Sequence, residues 1–348
     1  MDRFPGADLV VSHGQTVYHW VEGACALGTL QLGSPAWIAE ATGLPVISDL
    51  RTRDIAKGGH GAPLVSMLDA LLLLGADVDD GADDEGADAD AGGAADAGGA
   101  ADGDGAANDR AANDRAANDR AGVRRGALNL GGIANITVRD ERGAVLAYDL
   151  GPANALIDAA VTDTTSGAET MDRDGARAAR GTIDAALLER LLAEPYYRLA
   201  PPKSTGKELF HGSYLREHAG TGIAPDDLVA TVTELTAVLV ARACAEHRLT
   251  ELIVAGGGVR NPVLMDRIRT LADPARVTVS DAAGLPAQGK EAYLFALLGY
   301  LTWHGLPGTV PSATGARAGA VLGSLTPGAT PLRLPEPAAA PPARLRIA

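Results

Sequence analysis

The stretch LNLGGIANITVRDERGAVLAYDLGPANALIDAA, from Leu128 to Ala160, determines most of what can be inferred about the fold. It holds two apolar strand patterns, Ala127 to Val138 and Val145 to Asp149, and the turn sequence DERG joins them into a hairpin. A helical pattern from Asn154 to Thr162 follows directly. Hairpin followed by helix, with further strand and helix patterns downstream, predicts a layered α/β domain with a mixed sheet.

Three glycine turns stand in or at the ends of the predicted strands: Gly131-Gly132, Gly151 and Gly256-Gly257-Gly258. Strand interiors normally avoid Gly, so its presence indicates a bend, a close neighbour or a ligand at the backbone. Three such turns favour nucleotide phosphate binding at the carboxyl ends of strands. The last turn precedes a helix that starts at Asn261-Pro262. It has two equally supported interpretations, a flat surface for a purine or a tight turn that needs glycine for packing.

Composition limits the function classes. The net charge is −14, but the 14 acidic residues and three arginines between Gly75 and Ala121 account for −11 of it. The remainder is nearly neutral and has no basic face for nucleic acid. Cys25 and Cys244 are too far apart in sequence to suggest a metal or redox pair. No signal peptide or membrane span is apparent, so we expect a cytoplasmic protein without a membrane partner.

The chain divides into four parts. Residues 1–74 contain the strand patterns ADLVVSH and LPVISD. The helical SPAWIAEATG lies between them and is expected to end at Gly43 as a C-cap. Residues 75–121 are an acidic low-complexity insertion with three AANDR repeats, which we expect to be disordered. Residues 122–327 carry the glycine turns, and residues 328–348 form a Pro/Ala-rich tail without a core-forming pattern.

Several polar residues in turn regions are candidates for chemistry. Asp149 ends a strand, where a fixed carboxylate can act as a general base, although a turn-forming Asp is the commoner explanation. Arg51 and Lys203 could clamp an anion or could be solvated surface charges. Glu291 lies at the start of a helix, where a carboxylate interacts favourably with the helix dipole and needs no catalytic role. The remaining candidates are His13 and Gln15 in SHGQT, and Asp49 and Asp54 in SDLRTRD.

These motifs in series resemble the anhydro-N-acetylmuramic acid kinase family. The matching stretches are DLVVSHGQTVYH, TLQLGSPAWIAEATGLPVISDLRTRDIAKGGHGAPLV, LNLGGIANITV, AYDLGPANALID, PPKSTGKELF, TVTELTA, VAGGGVRNPVLM, GKEAYLFALL and PSATGARAGAVLG. The resemblance covers about Ala7 to Gly323 apart from the acidic insertion. It implies an α/β, two-lobe actin/hexokinase-like (ribonuclease H-like) fold with mixed sheets, in which residues 1–74 are a partial sugar-side lobe and residues 122–327 an ATPase-like lobe.

The resemblance also implies a reaction and a set of site residues. ATP, with Mg²⁺, would phosphorylate O6 of 1,6-anhydro-N-acetylmuramic acid while water opens the anhydro bridge, a step in peptidoglycan recycling. Asp149 would be the base, Gly131 and Gly132 would approach the phosphates, and Gly256 to Gly258 with Asn261 would line the adenosine. His13, Gln15, Asp49, Arg51, Asp54 and Glu291 would face the sugar. No metal ligand is implied, and a homodimer is expected.

The sequence departs from the family in two ways. Members begin with a strand and a loop of the form G-x-M-S-G-T-S-x-D-G-x-D that grips the ATP phosphates, whereas this chain starts at MDRFPGADLVVSHGQT. We therefore expect an N-terminally truncated first lobe, and a catalytically inactive relative that only binds sugar or nucleotide is the alternative. In addition, His60, Leu150 and Ala153 stand where the family usually has Gln, Thr and Gly, and Ala153 would add a Cβ beside the proposed base.

Overall fold

A five-stranded mixed sheet is built on the hairpin of the quoted stretch. The computed structural model describes residues 6–22, 25–74, 122–206, 208–220, 222–287, 289–342 and 344–347. Its strands are β1 (Val10–Val11), β2 (Gln15–Glu22), β3 (Cys25–Leu32), β4 (Val46–Ser48), β5 (Arg125–Leu130), β6 (Ile133–Arg139), β7 (Val145–Pro152), β8 (Glu251–Ala255), β9 (Arg276–Val279) and β10 (Ser324–Thr326). The predicted insertion, residues 75–121, lies outside the described residues.

The order of the large sheet is β7-β6-β5-β8-β9. The first three strands are antiparallel neighbours, and β5, β8 and β9 run parallel. Three antiparallel strands continued by two parallel ones give the ribonuclease H-like arrangement, so the predicted α/β fold with mixed sheets is confirmed. Two boundaries were wrong. The pattern from Ala127 to Val138 is two strands, because the chain reverses at Gly131-Gly132, and the strand predicted to end at Asp149 continues to Pro152 through its pairing with β6.

The structure has eleven α-helices in its described residues, which pack on the large sheet or on the smaller sheet described below. They are α1 (Pro35–Thr42), α2 (Thr52–Ala56), α3 (Ser66–Leu68, continued by a π-helix over Asp69–Leu73), α4 (Asn154–Thr164), α5 (Ala176–Arg180), α6 (Ala185–Leu192), α7 (Gly212–Ala219), α8 (Pro225–Glu246), α9 (Pro262–Leu271), α10 (Lys290–Trp303) and α11 (Pro311–Thr314). Single 3₁₀ turns span Arg173–Gly175, Pro195–Arg198, Gly257–Arg260 and Ser280–Ala283.

Strand alternation divides the apolar residues of the sheet between two cores. Leu128 and Val254 join the first core, which packs against α4 and α6 to α9. Ala127 and Ile253, one position earlier in each strand, join the second core with β4, the π-helix and α10. Helix α8 is long and apolar enough to span a membrane, but 78% of its most apolar window is buried in the first core. It is therefore the central helix of this layer.

A second, three-stranded sheet has the order β1-β4-β10 and supports the other core. Strands β1 and β4 match the predicted strands, and Gly43, with φ of 71°, ends α1 as the predicted C-cap. Gly43 must be in the left-handed conformation there, which a side chain would strain. The tail lacks regular structure, yet Leu345 N donates to Leu71 O at 3.0 Å and Ala338 N donates to His304 O at 3.0 Å. The tail therefore packs on the second core.

The antiparallel hairpin of β2 and β3 has no counterpart in the sequence predictions, which treated SHGQT as a turn. Tyr18, Trp20, Leu30 and Leu32 lie on it with about half or more of each side chain exposed. These apolar side chains have few buried apolar neighbours. Register shifts interrupt the pairing of β2 with β3 between Thr16 and Tyr18 and between Trp20 and Val21. Without a clean apolar alternation, the hairpin gives a weak strand signal in the sequence.

Candidate active site

Asp149 lies inside β7, three residues before the strand ends at Pro152, in a row of polar residues that crosses three strands. Asn135 in β6 pairs with both Asn129 in β5 and Asp149 in β7. Directly opposed residues share a face of the sheet, and this face is the one that Ala127 presents to the second core. The three side chains are partly exposed, whereas the strand residues around them are mostly buried. The row therefore opens a polar patch at the junction of the two cores.

The backbone of a single loop holds Asp149 from two sides. Its N–H donates to Lys203 O at 3.2 Å, and its Oδ2 accepts from Thr205 N at 2.9 Å. The hydroxyl of Tyr196 donates to its carbonyl oxygen at 2.8 Å. Among the described residues none donates to Oδ1. One carboxylate oxygen is thus fixed while the other is left to accept a proton from a reactant.

The pKa of Asp149 is raised from 3.8 to about 7, mainly because burial penalises the charged form. The hydrogen bond from Thr205 opposes this rise, the negative charge of Glu208 adds to it, and the positive charge of Lys203 opposes it. A carboxylate with a pKa near neutrality is suited to accept a proton from water at physiological pH. The commoner explanation, a turn-forming Asp, does not account for this environment.

The Gly131-Gly132 turn sits beside Asp149 and is held by the start of α4. Asn154 Nδ2 donates to Leu130 O at 3.2 Å and to Gly131 O at 2.8 Å, and backbone N–H groups from residues 153–155 donate to the two glycine carbonyls. A Cβ on Gly131 would meet nothing closer than 3.4 Å. The start of α4 therefore holds the carbonyl groups of the turn, and the side on which a Cβ of Gly131 would project is open to a ligand.

The second glycine turn, which had two interpretations, is explained in part by packing. A Cβ on Gly256 would lie 2.7 Å from Leu130 O, and one on Gly258 would lie 2.6 Å from Leu130 Cβ. Gly257 differs, because its nearest neighbour, Arg260 Nη2, is 4.0 Å away. Asn261 caps α9: its Oδ1 accepts from Leu264 N at 3.1 Å. Only Gly257 of this group is free to meet a ligand without displacing protein atoms.

Three predicted sugar-side residues follow β4. Asp49 has a left-handed backbone, with φ of 54°, and its Oδ1 accepts from Thr52 Oγ1 at 2.5 Å. Arg51 Nη1 donates to Gly61 O at 2.8 Å, and its pKa is lowered by burial, an effect that Glu291 opposes. Arg51 and Glu291 are thus close enough to interact.

Asp54 is fully buried, so its side chain is not accessible to a substrate. Its Oδ1 accepts from Thr314 Oγ1 and its Oδ2 from Gly61 N, each at 2.7 Å. A Cβ on Gly59 would lie 2.3 Å from Oδ2, so only glycine fits there. Asp54 consequently holds the loop that carries His60, and its carboxylate points into the protein.

The remaining sugar-side candidates, His13, Glu291 and Gln15, differ in whether they contact other site residues. His13 stacks on Phe295 with ring centroids 4.2 Å apart, and its Nε2 lies 3.9 Å from Glu291 Oε1. Both His13 and Glu291 line a cavity of about 740 Å³ beside β1. Gln15 is exposed, and its Nε2 donates to its neighbour's carbonyl, Thr16 O, at 3.4 Å. The structure brings Glu291 towards Arg51 but gives Gln15 no contact with the other site residues.

Two further histidines belong to the site. His60 Nδ1 lies 3.2 Å from Ser204 Oγ, which joins the loop after α2 to the loop that holds Asp149. The pKa of His19, in the hairpin, is lowered by burial and by the charges of Arg51 and His60, and Glu208 opposes these effects. His60 and the stretch PPKSTGKELF were named from the sequence, as was the stretch DLVVSHGQTVYH, which ends at His19. His19 was given no role there, because the hairpin that carries this residue was not predicted.

Leu150 and Ala153, which were expected from the sequence to depart from the family pattern, are core residues. Both are buried in the first core, so the Cβ of Ala153 packs away from the carboxylate of Asp149. Lys203 is not a solvated surface charge. Its Nζ donates to Tyr196 O and Tyr197 O, each at 3.3 Å, which uses two of its three N–H donors within the protein.

Comparison with known proteins identifies the relatives of this chain. The family model described as anhydro-N-acetylmuramic acid kinase matches residues 5–80 and 97–328. A protein of that name from Streptomyces coelicolor is 52% identical over 343 residues, which cover 98% of this chain and 76% of the relative. Those from Rhodococcus erythropolis and Gloeobacter violaceus are 46% and 41% identical, covering 92% and 91% of this chain and 72% and 73% of the relatives.

Solved structures resemble the chain only over part of its length. An activator of 2-hydroxyisocaproyl-CoA dehydratase from Clostridium difficile, with bound ADPNP, covers 51% of this chain and 59% of its own with a TM-score of 0.33 and 16% identity. The component A of (R)-2-hydroxyglutaryl-CoA dehydratase from Acidaminococcus fermentans covers 50% and 61% with a TM-score of 0.32 and 12% identity.

Proposed function

The chain belongs to the anhydro-N-acetylmuramic acid kinase family, and from this premise we propose that it converts 1,6-anhydro-N-acetylmuramic acid, ATP and water into N-acetylmuramic acid 6-phosphate and ADP. Such a reaction transfers the γ-phosphoryl group to O6 and opens the anhydro bridge by attack of water at C1. It places the protein in peptidoglycan recycling in the cytoplasm, with a small amino sugar and ATP as partners. The observation that carries the proposal is the environment of Asp149.

Asp149 supplies the base for the attacking water. The water must lose a proton as it adds to C1, and O6 must be free to accept the phosphoryl group as the C1–O6 bond breaks. Oδ2 is held by Thr205 N while Oδ1 accepts no hydrogen bond from the described residues, so one oxygen orients the group and the other receives the proton. A pKa of about 7 balances the fraction ionised against basicity.

The glycine turns supply the phosphate side. Gly131 and Gly257 follow the adjacent parallel strands β5 and β8, and a Cβ on either would come no closer than 3.4 Å to another residue. Ligands of α/β sheets collect at this kind of edge, where the backbone can approach a phosphate closely. The row of Asn129, Asn135 and Asp149 lies next to these turns, which brings the phosphoryl donor and the base to one patch.

Magnesium would accompany ATP. In the described part of the chain no three His, Cys, Asp or Glu side chains come together. In many phosphotransferases Mg²⁺ is bound mainly by phosphate oxygens and water. When bound, the ion neutralises charge that develops on the transferred phosphoryl group. No residue here is proposed as its ligand.

The sugar would lie on the other side of Asp149. Arg51, Glu291 and His19 face this region from three separate elements, and His60 links it to the loop of Ser204. Charged and neutral donors at this density suit a polyhydroxylated ligand that also carries a carboxylate. Asp49, with its strained backbone, is proposed as a further contact, and Asp54 as the support of the His60 loop.

ADP release from Mg-ATP and 1,6-anhydro-N-acetylmuramic acid tests the proposal, with Asp149→Asn as the matched control. The expected result is turnover in the wild type and a loss of at least a hundredfold in the variant, about what general base catalysis contributes. ATP binding, measured by calorimetry, should be retained by both proteins. A folded wild type that binds ATP and sugar without releasing ADP would favour the inactive relative instead.

A further inference from the structure

We infer that Lys203 is a positioning residue for Asp149, which it holds through a closed ring of hydrogen bonds and favours in its charged form. The inference rests on the proposed function in treating Asp149 as the base. Lys203 is not expected to touch a substrate, because its ammonium group is already bound by protein atoms.

Three residues form the ring. Asp149 N donates to Lys203 O at 3.2 Å, Lys203 Nζ donates to Tyr196 O at 3.3 Å, and Tyr196 Oη donates to Asp149 O at 2.8 Å. Each residue both donates and accepts, so displacement of one changes the hydrogen bonds of the other two. The ring joins β7, the 3₁₀ turn Pro195–Arg198 and the loop that follows it. It holds the N–H and the carbonyl oxygen of Asp149, which belong to the peptide groups before and after its Cα.

The ammonium group occupies a place that suits a cation. Nζ also donates to Tyr197 O at 3.3 Å, and it lies 4.9 Å from the centroid of the Tyr196 ring and 5.6 Å from that of Tyr148. Carbonyl oxygens and ring faces both attract a positive charge. Tyr148 is the residue before Asp149, so Lys203 contacts the strand next to the base as well as the turn.

The charge of Lys203 acts on the carboxylate through space. It lowers the pKa of Asp149, in opposition to burial and to Glu208, and burial in turn lowers the pKa of Lys203. Glu246 from α8 and Asp149 raise the pKa of Lys203 and so favour its cationic form. Removing the lysine charge therefore leaves Asp149 facing Glu208 without a compensating cation. A purely structural anchor would lack this effect.

Four variants separate the contribution of the hydrogen-bond ring from that of the Lys203 charge. Lys203→Met removes the charge and the donor but keeps the length, and Lys203→Arg keeps the charge. Tyr196→Phe opens the ring and leaves the charge of Lys203 in place. Arg198→Met removes one exposed positive charge from the same 3₁₀ turn and serves as the control for net charge. Each is assayed for kcat, for KM of both substrates and for the pH dependence of kcat/KM.

We expect Lys203→Met to lower kcat roughly ten- to a hundredfold, as misplacement of a reacting group does, with little change in either KM. The midpoint of the acidic limb should move to higher pH. Lys203→Arg should restore that midpoint, Tyr196→Phe should lower kcat without the same shift, and Arg198→Met should match the wild type. A folded Lys203→Met protein with an unshifted midpoint would overturn the inference.

A second readout does not depend on turnover and so separates this inference from the proposed function. Urea unfolding of wild type, Lys203→Met, Asp149→Asn and the double variant gives the coupling between the two side chains. The coupling should favour the pair at pH 8.5, where Asp149 is ionised, and shrink at pH 5, where it is protonated. A coupling that is absent at both pH values overturns the role of Lys203. Inactivity of the wild type with the coupling intact would overturn only the proposed reaction.

Discussion

His60 Nδ1 and Ser204 Oγ lie 3.2 Å apart and join the loop after α2 to the loop that holds Asp149. The two residues are 144 positions apart in sequence, and their loops are anchored separately, one by Asp54 and the other by Asp149. The contact therefore connects the sugar side of the site to the base. It also gives a role to His60, which was not among the predicted site residues.

Loss of this contact should affect the sugar more than ATP. We expect His60→Ala and Ser204→Ala each to lower kcat/KM for the sugar by about fivefold to tenfold, the effect of one neutral hydrogen bond of about 1 kcal/mol. The KM for ATP should change little. The double variant should lose no more than the worse single variant, because both remove one interaction. Steady-state kinetics check this, and additive losses would contradict a direct interaction.

The raised pKa of Asp149 predicts how activity depends on pH. A base must be ionised, so kcat/KM should rise with pH and level off above a midpoint near pH 7. The rise should have unit slope if one group controls it. A pH series from 5 to 9 with constant ionic strength measures it. A flat profile over this range would remove Asp149 as the controlling group.

The raised pKa of Asp149 also predicts that the stability contributed by this group falls as pH rises, whereas activity rises. The folded protein favours the neutral carboxyl, so this group contributes stability that is fully present below pH 3.8 and is lost as pH rises through about 7. Asp149→Asn mimics the neutral form. We expect its Tm to exceed that of the wild type by several degrees at pH 8, at roughly 2–4 °C per kcal/mol, and to approach the wild type at pH 4. Equal Tm differences at both pH values would contradict the assigned environment.

Two neighbouring glycines offer a matched pair for the nucleotide side. Gly258→Ala would place a Cβ 2.6 Å from that of Leu130, whereas Gly257→Ala would meet only Arg260 Nη2, at 4.0 Å. Gly258→Ala should therefore be destabilised by about 1–3 kcal/mol, as in other overpacked sites, while Gly257→Ala should fold like the wild type. If ATP approaches the turn, Gly257→Ala should raise the KM for ATP severalfold. An unchanged KM would exclude Gly257 from the nucleotide site.

Asn154 supports the phosphate-side turn through two donated hydrogen bonds. Asn154→Ala leaves the carbonyls of Leu130 and Gly131 without those donors, so we expect a loss of about 1–3 kcal/mol in the free energy of unfolding. Asn154→Asp should be worse, because its carboxylate would face the same two carbonyl oxygens. Both should weaken ATP binding more than sugar binding. Urea unfolding and calorimetry measure these effects, and unchanged affinity for ATP would separate the turn from the nucleotide.

The sequence by itself determined the local features of the protein. The DERG hairpin, the strand before Gly256, the C-cap at Gly43 and the helix opened by Pro262 were all predictable, because turn chemistry and apolar periodicity act over a few residues. The motifs in series also determined the family and the fold class, and they placed Asp149 in a strand, although that strand ends at Pro152 rather than at Asp149. The sequence showed the glycine pair Gly131-Gly132, but it did not show that the chain reverses there.

Only the tertiary structure decided which candidates meet. Asn135 faces Asp149 because β6 and β7 pair in one register, and a shift of one residue would have turned it to the other core. Asp54 and Asn261 proved to be supports since their oxygens are taken by Gly61, Thr314 and Leu264. Lys203 came to hold Asp149, 54 positions before it, through the 3₁₀ turn. Such contacts depend on the register and packing of distant segments, to which no local pattern in the sequence is sensitive.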